Sequence, residues 1–337
     1  MKNSYYLVIG SGSIARRHIK NLKTIFPNAE VACISASGRA LTPQECDADT
    51  VFTSLAEALA HCKPDFAIVA SPSPWHLAQV RQLAEAGVPS LIEKPLADDF
   101  SLASAEMDAL RPHADQLEVA YNLRYLPSAR EMKRLLDAGV LGRIHSVLID
   151  VGQYLPDWRP QSDYRLNVSA RRDLGGGVLL ELSHELDYLT WLFGRFEHVY
   201  CVTGQSGCLE IDVEDRVDAV LSRDDGLVIT LHMDFLQRVV TRTCKVVGEN
   251  GTLIWNLATN SVSLLAPENQ SKVLFSDEAY DRNAMYLSEI ERFSLVAKGE
   301  LKPLVSLEDA LYVLRLVAAM KASAQERKSV SIETLQP

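Results

Sequence analysis

The segment Gly10-Ser11-Gly12-Ser13-Ile14-Ala15 constrains this chain more than any other, because it joins an apolar run, Tyr5 to Gly10, to a stretch with helical periodicity, Ile14 to Ile25. In a strand-to-helix junction of this kind the first glycine permits the tight turn and the second lets a ligand approach the backbone. The small third residue lets the helix pack close to the strand. The helix N-terminus then presents N–H groups that have no partner within the helix, which suits an anion. Gly10, Gly12, Ser13, Ile14 and Ala15 are therefore expected to cradle the pyrophosphate of a dinucleotide.

The loop fits its surroundings. Short apolar runs follow at Val31 to Ser35, Phe66 to Ser71, Pro89 to Ile92 and Leu117 to Tyr121, with a weaker one at Val51 to Thr53. Helical patterns at Trp75 to Ala86 and Leu102 to Leu110 separate them. Strands alternating with helices imply parallel neighbours, since parallel pairing requires crossover connections. Residues 1–122 are thus expected to form an α/β Rossmann domain, a doubly wound parallel sheet.

After Pro127 the rhythm changes. A helix over Ala129 to Ala138 stops at Gly139, a strand covers Ile144 to Val151, and consecutive strands run from Phe196 to Leu265. Asp224-Asp225-Gly226 and Glu249-Asn250-Gly251 read as hairpin turns. Two helices, about Asp281 to Lys298 and Leu307 to Gln325, follow, with Ser306 and Asp309 placed to cap the second. Residues 123–337 are expected to be a second domain of α+β type, built on a large, mainly antiparallel open sheet. An apolar outer face on that sheet calls for a cover, so a homodimer or homotetramer is expected.

Composition narrows the function. With 337 residues, 47% hydrophobic and 23% charged, the chain has enough apolar content for two packed cores. The net charge of -10 argues against nucleic acid, which needs clustered Lys and Arg. No stretch approaches the ~20 apolar residues that span a bilayer, and the N-terminal run is too short for a signal peptide. A cytoplasmic protein is expected, without a membrane partner. Its six cysteines are scattered with no metal spacing, as expected of reduced, partly buried thiols.

About 20 residues beyond the loop, an NAD site usually places a carboxylate on the ribose hydroxyls. Here Ser35, Ala36, Ser37, Gly38 and Arg39 follow the second strand instead. Ser35, Ser37 and the Arg39 guanidinium suit a 2′-phosphate, so NADP is the favoured cofactor, with NAD the alternative. Ser71-Pro72, leading to His76, and Glu93-Lys94-Pro95 stand at the carboxyl ends of later strands, where open α/β sheets bind ligands. A lysine there can hold a substrate hydroxyl and favour its proton loss. A second cluster runs from Gly175-Gly176-Gly177 to Tyr188. At about 100° per residue, Leu182, Leu186, Leu189 and Phe193 share one stripe, and Glu181, His184 and Tyr188 the opposite one. Glu181 could then orient His184, whose imidazole suits proton transfer near neutral pH. A metal at Glu181, His184, Glu185 and Asp187 is the competing use, but the spacing is not HExxH and no metal is expected.

Taken together, these motifs resemble the glucose-fructose oxidoreductase / inositol dehydrogenase / MocA (Gfo/Idh/MocA) family. The matching positions are Gly10 to Ala15, Ser71-Pro72 with His76, Glu93-Lys94-Pro95, Tyr121 to Tyr125 with Pro127, Leu141-Gly142-Arg143-Ile144, and the glycine triplet leading to His184 and Asp187. The resemblance implies an NAD(P)-dependent oxidoreductase of a sugar or polyol hydroxyl or the matching carbonyl. It implies that Lys94 polarises the reacting oxygen and His184 is the general acid/base. Ser71, Pro72, His76, Glu93 and Lys94 would lie at the cofactor, and Asn122, Arg124 and Asp187 at the substrate. One departure is that Glu181 precedes His184 by three residues, where the family's acidic residue commonly stands four before. Tyr154, Trp158, Arg159, Tyr164 and Arg165 bring aromatic faces and guanidinium forks suited to a sugar bearing a carboxylate or phosphate. The segment resembles that of family members in bacterial surface-sugar biosynthesis, and the resemblance implies such a role here. The alternative function is a non-catalytic NAD(P)-binding regulator on the same fold.

Overall fold

The structure, a computed structural model, describes residues 4–268 and 270–335. The chain divides into two compact units. Of the described residues, the first comprises 4–122 together with Asn283–Leu314, and the second Leu123–Arg282 with 315–335.

In the first unit six strands, β1 (Tyr5–Ile9), β2 (Glu30–Ile34), β3 (Thr50–Phe52), β4 (Phe66–Val69), β5 (Ser90–Glu93) and β6 (Leu117–Ala120), form one parallel sheet in the order β3-β2-β1-β4-β5-β6. Helices α1 (Ser13–Ile25), α2 (Pro43–Cys46), α3 (Leu55–His61), α4 (His76–Glu85) and α5 (Phe100–Leu110) make the connections. The strand order reverses between β1 and β4, which pair directly from Tyr6↔Phe66 to Ile9↔Val69. A crevice outside the carboxyl ends of strands at such a switch point is where doubly wound sheets bind ligands.

The first unit also contains helix α9 (Asn283–Ala297), which the sequence-based division at 122/123 placed in the second domain. The physical cause is its apolar face. Ile290, Phe293 and Val296 share one core with Tyr6, Ile19, Leu22, Phe66 and Ile68, and Phe293 meets the Phe66 ring edge-on at 5.3 Å.

In the second unit α6 (Pro127–Asp137), α7 (Val178–Glu181) and α8 (Ser183–Phe193) accompany a nine-stranded sheet. Its strands are β7 (Ile144–Gly152), β8 (His198–Gly204), β9 (Arg216–Ser222), β10 (Val228–Asp234), β11 (Thr241–Gly248), β12 (Gly251–Asn256), β13 (Ser261–Ala266), β14 (Gln270–Ser276) and β15 (Val330–Ser331). The order is β14-β13-β12-β11-β7-β10-β9-β8-β15, antiparallel except for β7 with β10. Both expected hairpin turns are present, with Gly226 at φ +89° between β9 and β10 and Gly251 at +152° opening β12. The last helix, α10 (Leu307–Glu326), starts at a reciprocal cap: Ser306 N–H donates to Asp309 Oδ2 at 3.2 Å and Asp309 N–H to Ser306 Oγ at 3.1 Å. Among the described residues no helix is long and apolar enough to cross a membrane. The six cysteines are free thiols, and Cys33, Cys46, Cys201 and Cys244 are buried.

Candidate active site

The loop after β1 is shaped by its glycines. Gly10 has φ +129°, and a Cβ there would lie 2.3 Å from the Ala70 carbonyl oxygen, so no other residue fits without displacing backbone. Gly12 caps α1 with no side-chain hydrogen bond, and a Cβ at that position would meet nothing within 4 Å. Gly12 and Ser13 are exposed at the start of α1, and Ala15 is buried where the helix packs on the sheet. An uncapped helix end beside an open glycine fits a pyrophosphate. Beyond β2, Ser35 Oγ and Ser37 Oγ lie 3.1 Å apart. Arg39 donates to Glu45 at 3.0 Å, a surface ion pair that a 2′-phosphate would have to displace.

At the ends of β4 and β5 the side chains divide into supporting and exposed ones. His76 is fully buried, with Nδ1 2.9 Å from the Pro95 carbonyl oxygen and Nε2 2.7 Å from that of Ser71. Burial pushes its pKa down against the pull of the two carbonyls. Both nitrogens of His76, expected at the cofactor, are thus occupied within the protein, and the ring ties the Ser71-Pro72 loop to the Lys94-Pro95 loop. Ser71 Oγ is likewise committed, to Gln79 at 2.7 Å. Glu93 is buried too, with Oε1 2.7 Å from His18 Nε2 and Oε2 accepting the Lys94 N–H at 3.3 Å. Its carboxylate supports the loop rather than lining it. Lys94 itself is partly exposed, joined to Pro95 by a cis peptide bond.

In the second unit the expected continuous helix is interrupted. Leu182, at φ -94° and ψ 24°, separates α7 from α8, so the three-residue spacing does not put Glu181 and His184 on one helical face. The apolar stripe Leu182, Leu186, Leu189 and Phe193 is buried as expected, but Tyr188 is buried as well, its ring 5.0 Å from that of Trp255. Desolvation holds the Tyr188 phenol un-ionised. Helix α8 is covered nearly all round, and its buried Glu185 and Asp187 are each paired with an arginine. Arg242 grips Glu185 at 2.7 and 3.0 Å, and Arg124 Nε and Nη2 grip Asp187 at 3.1 and 2.7 Å. Arg124 and Asp187, expected at the substrate, thus form an internal ion pair with each other. His184 differs from its neighbours in being partly exposed.

Residues 5–121 match the family model described as an oxidoreductase family, NAD-binding Rossmann fold, and 129–254 match the GFO/IDH/MocA C-terminal domain. The chain belongs to the Gfo/Idh/MocA family. It is thus an NAD(P)-linked oxidoreductase by class, and the two matched segments fall one in each unit. Among relatives, inositol 2-dehydrogenase 2 of Saccharopolyspora erythraea is 30% identical over 240 residues, 67% of this chain and 65% of that enzyme. The D-xylose 1-dehydrogenase (NADP(+)) 2 of Haloferax volcanii is 24% identical over 310 residues, covering 90% of this chain and 92% of the relative. The WlbA dehydrogenase of Bordetella pertussis, solved with NADH and UDP-GlcNAcA, shares the fold at a TM-score of 0.80 and 22% identity, over 98% of this chain and 99% of that one.

Within this Gfo/Idh/MocA chain the aromatic and basic segment after β7 forms short helical turns. Trp158 donates Nε1–H to the Gln153 carbonyl at 3.0 Å and stands edge-on to the buried Phe235, while the Arg238 guanidinium lies 3.5 Å above the Tyr154 ring. Tyr164 Oη accepts the Glu210 N–H, and Arg165 is forked onto Asp163 and Glu210. Arg159 is exposed. Asn122 is buried at the end of β6, on the first unit, and bonds Tyr286. Sequence inspection missed His18, which sits on the buried face of α1 four residues after Ile14. An imidazole amid Ile19 and Leu22 was the available signal.

Proposed function

We propose that the chain transfers a hydride between a nicotinamide cofactor and the hydroxyl or carbonyl carbon of a polyhydroxylated, sugar-like substrate. The observation that supports this most is the open, uncapped glycine loop at the switch point of the first sheet, with Lys94 at the carboxyl end of β5. Gly10, Gly12, Ser13, Ile14 and Ala15 would hold the pyrophosphate, and Ser35, Ser37 and Arg39 the adenosine ribose. With no carboxylate directly after β2, NADP is the preferred form. Bound there, the dinucleotide supplies the hydride acceptor or donor. Lys94 polarises the reacting oxygen through its ammonium. His184 takes the hydroxyl proton in oxidation, leaving a carbonyl, and returns it in reduction. The names of the relatives, dehydrogenases of inositol and xylose and one solved with UDP-GlcNAcA, support a ring substrate carrying several hydroxyls. The exposed guanidinium of Arg159 suits an acidic or nucleotide-linked one, as in surface-sugar assembly, whereas Arg165 would first have to leave Asp163 and Glu210.

Turnover with a panel of polyols, aldoses, uronic acids and their nucleotide-linked forms tests the reading, alongside Lys94→Ala. The variant is expected to lose about a hundredfold or more in turnover while cofactor affinity stays within about threefold. Wild-type turnover in the variant would remove Lys94 from the chemistry.

We further infer that a second copy of this chain covers the outer face of the nine-stranded sheet. Leu148, Thr230, Val220 and Tyr200 lie in one row across β7, β10, β9 and β8, and Leu148, Val220 and Tyr200 are each more than 40% exposed. Neighbouring Val202 and Val228 extend the patch. Sedimentation equilibrium is expected to return a multiple of the 37.3 kDa chain mass, and a monomer at all concentrations would contradict it.

A further inference from the structure

Beneath Lys94 lies a layer of buried polar side chains that hydride transfer leaves unused. His18 on α1 and Glu93 on β5 form its centre, at 2.7 Å. Helix α9 closes over them: Asn283 and Asn21 exchange side-chain hydrogen bonds, and the Tyr286 ring stands edge-on to His18 at 6.0 Å beneath the Arg17 guanidinium. One turn beyond Tyr286 is Glu289, 1% exposed, and neither of its carboxyl oxygens meets a hydrogen-bond partner among the described residues. The charged groups that act on it are Glu93 from β5 and Glu118 from β6. Glu118 is itself engaged by Arg292 Nη1 at 3.3 Å and by the Leu304 N–H at 3.1 Å.

An ionised carboxylate without a partner does not persist in such a place; it takes up a proton instead. Burial first, then the fields of Glu93 and Glu118, push the Glu289 carboxyl well above the ordinary carboxylate range. Charge on Glu289 would also set a third carboxylate in one dry layer and push Glu93 away from α1.

We propose that Glu289 is a positioning residue that holds a proton, so that Glu93 keeps its bond to His18 and the end of β5 presents Lys94 in one place. The functional half of this statement rests on Lys94 acting at the reacting oxygen; the proton on Glu289 does not.

Infrared difference spectra of wild type and Glu289→Gln at about pH 8 test the proton directly. The carbonyl stretch of an un-ionised carboxylic acid is expected in wild type and is lost in the variant; its absence from wild type overturns the proposal. Turnover tests positioning. Glu289→Ala is expected to lose about tenfold in turnover with cofactor affinity retained, and Glu289→Gln, which keeps both shape and neutrality, to restore it to within about twofold. Turnover in the Gln variant as low as in a Lys94→Ala protein, or a folded Ala variant as active as wild type, overturns it. Should Glu289→Ala fail to fold, the Gln variant and the infrared band still decide. Wild-type turnover in Lys94→Ala would defeat the Lys94 assignment alone and leave the band as the test of the proton.

Discussion

Arg124 and Asp187 show how a residue's meaning changes between sequence and structure. Both are charged groups inside motifs, which favours a substrate role on sequence grounds. Their 63-residue separation hides that each is the other's partner, with two hydrogen bonds in a buried setting. A buried pair broken from one side leaves an uncompensated charge, at a cost of about 3–5 kcal/mol. Arg124→Met is therefore expected to lower unfolding free energy by about that amount in urea titrations, and a loss below about 1 kcal/mol would show that Asp187 finds other compensation. Glu185 with Arg242 repeats the lesson across 57 residues. Gly10 behaves differently: the tight turn it permits was announced by the sequence, while the approach of Ala70, at the end of β4, is a tertiary contact that was not.

Elements were legible where a local rule decides them. The glycine loop, the capping pair Ser306 and Asp309, and the turns at Gly226 and Gly251 each depend on a few adjacent residues. Strand β14, Gln-Ser-Lys-Val-Leu-Phe-Ser, was not expected because most of it is exposed and its composition carries no alternation. The break at Leu182 escaped notice because a helix buried nearly all round has no polar stripe to set its phase. Helix α9 was recognised as a helix but assigned to the wrong unit, since its apolar face does not say which core it joins. On β10, His232 is held between Asp218 and Asp234, 2.7 Å from each, with Asp150 opposite on β7 and tied to the network through Gln237. Desolvation lowers its pKa, but the two carboxylates outweigh that and raise it overall. A folded-state value above the unfolded one, about 6.5, gives a stabilising contribution that is complete below that pH and is lost as pH rises through the folded value. The stability deficit of His232→Gln relative to wild type should thus shrink as pH is raised from about 6 to about 9. A deficit constant over that interval would mean that His232 carries no linked proton.

At the level of the whole molecule, the proposed nicotinamide chemistry depends on one feature more than on any other, a glycine loop left open at a sheet's switch point. Its geometry follows from Gly10, Gly12 and Ala15, and the catalytic assignments to Lys94 and His184 have meaning only if a dinucleotide sits there. The proposed choice between the two cofactors belongs to a separate loop, the one after β2, through Ser35, Ser37 and Arg39. The most direct test is a fluorescence titration of the purified chain with NADPH and, separately, NADH. Saturable binding of both is predicted, with NADPH the tighter by about tenfold, as one charge-assisted contact to a 2′-phosphate supplies. Equal affinities would remove the role given to Arg39, and binding of neither would contradict the assignment of the Gly10 to Ala15 loop and the hydride transfer built on it.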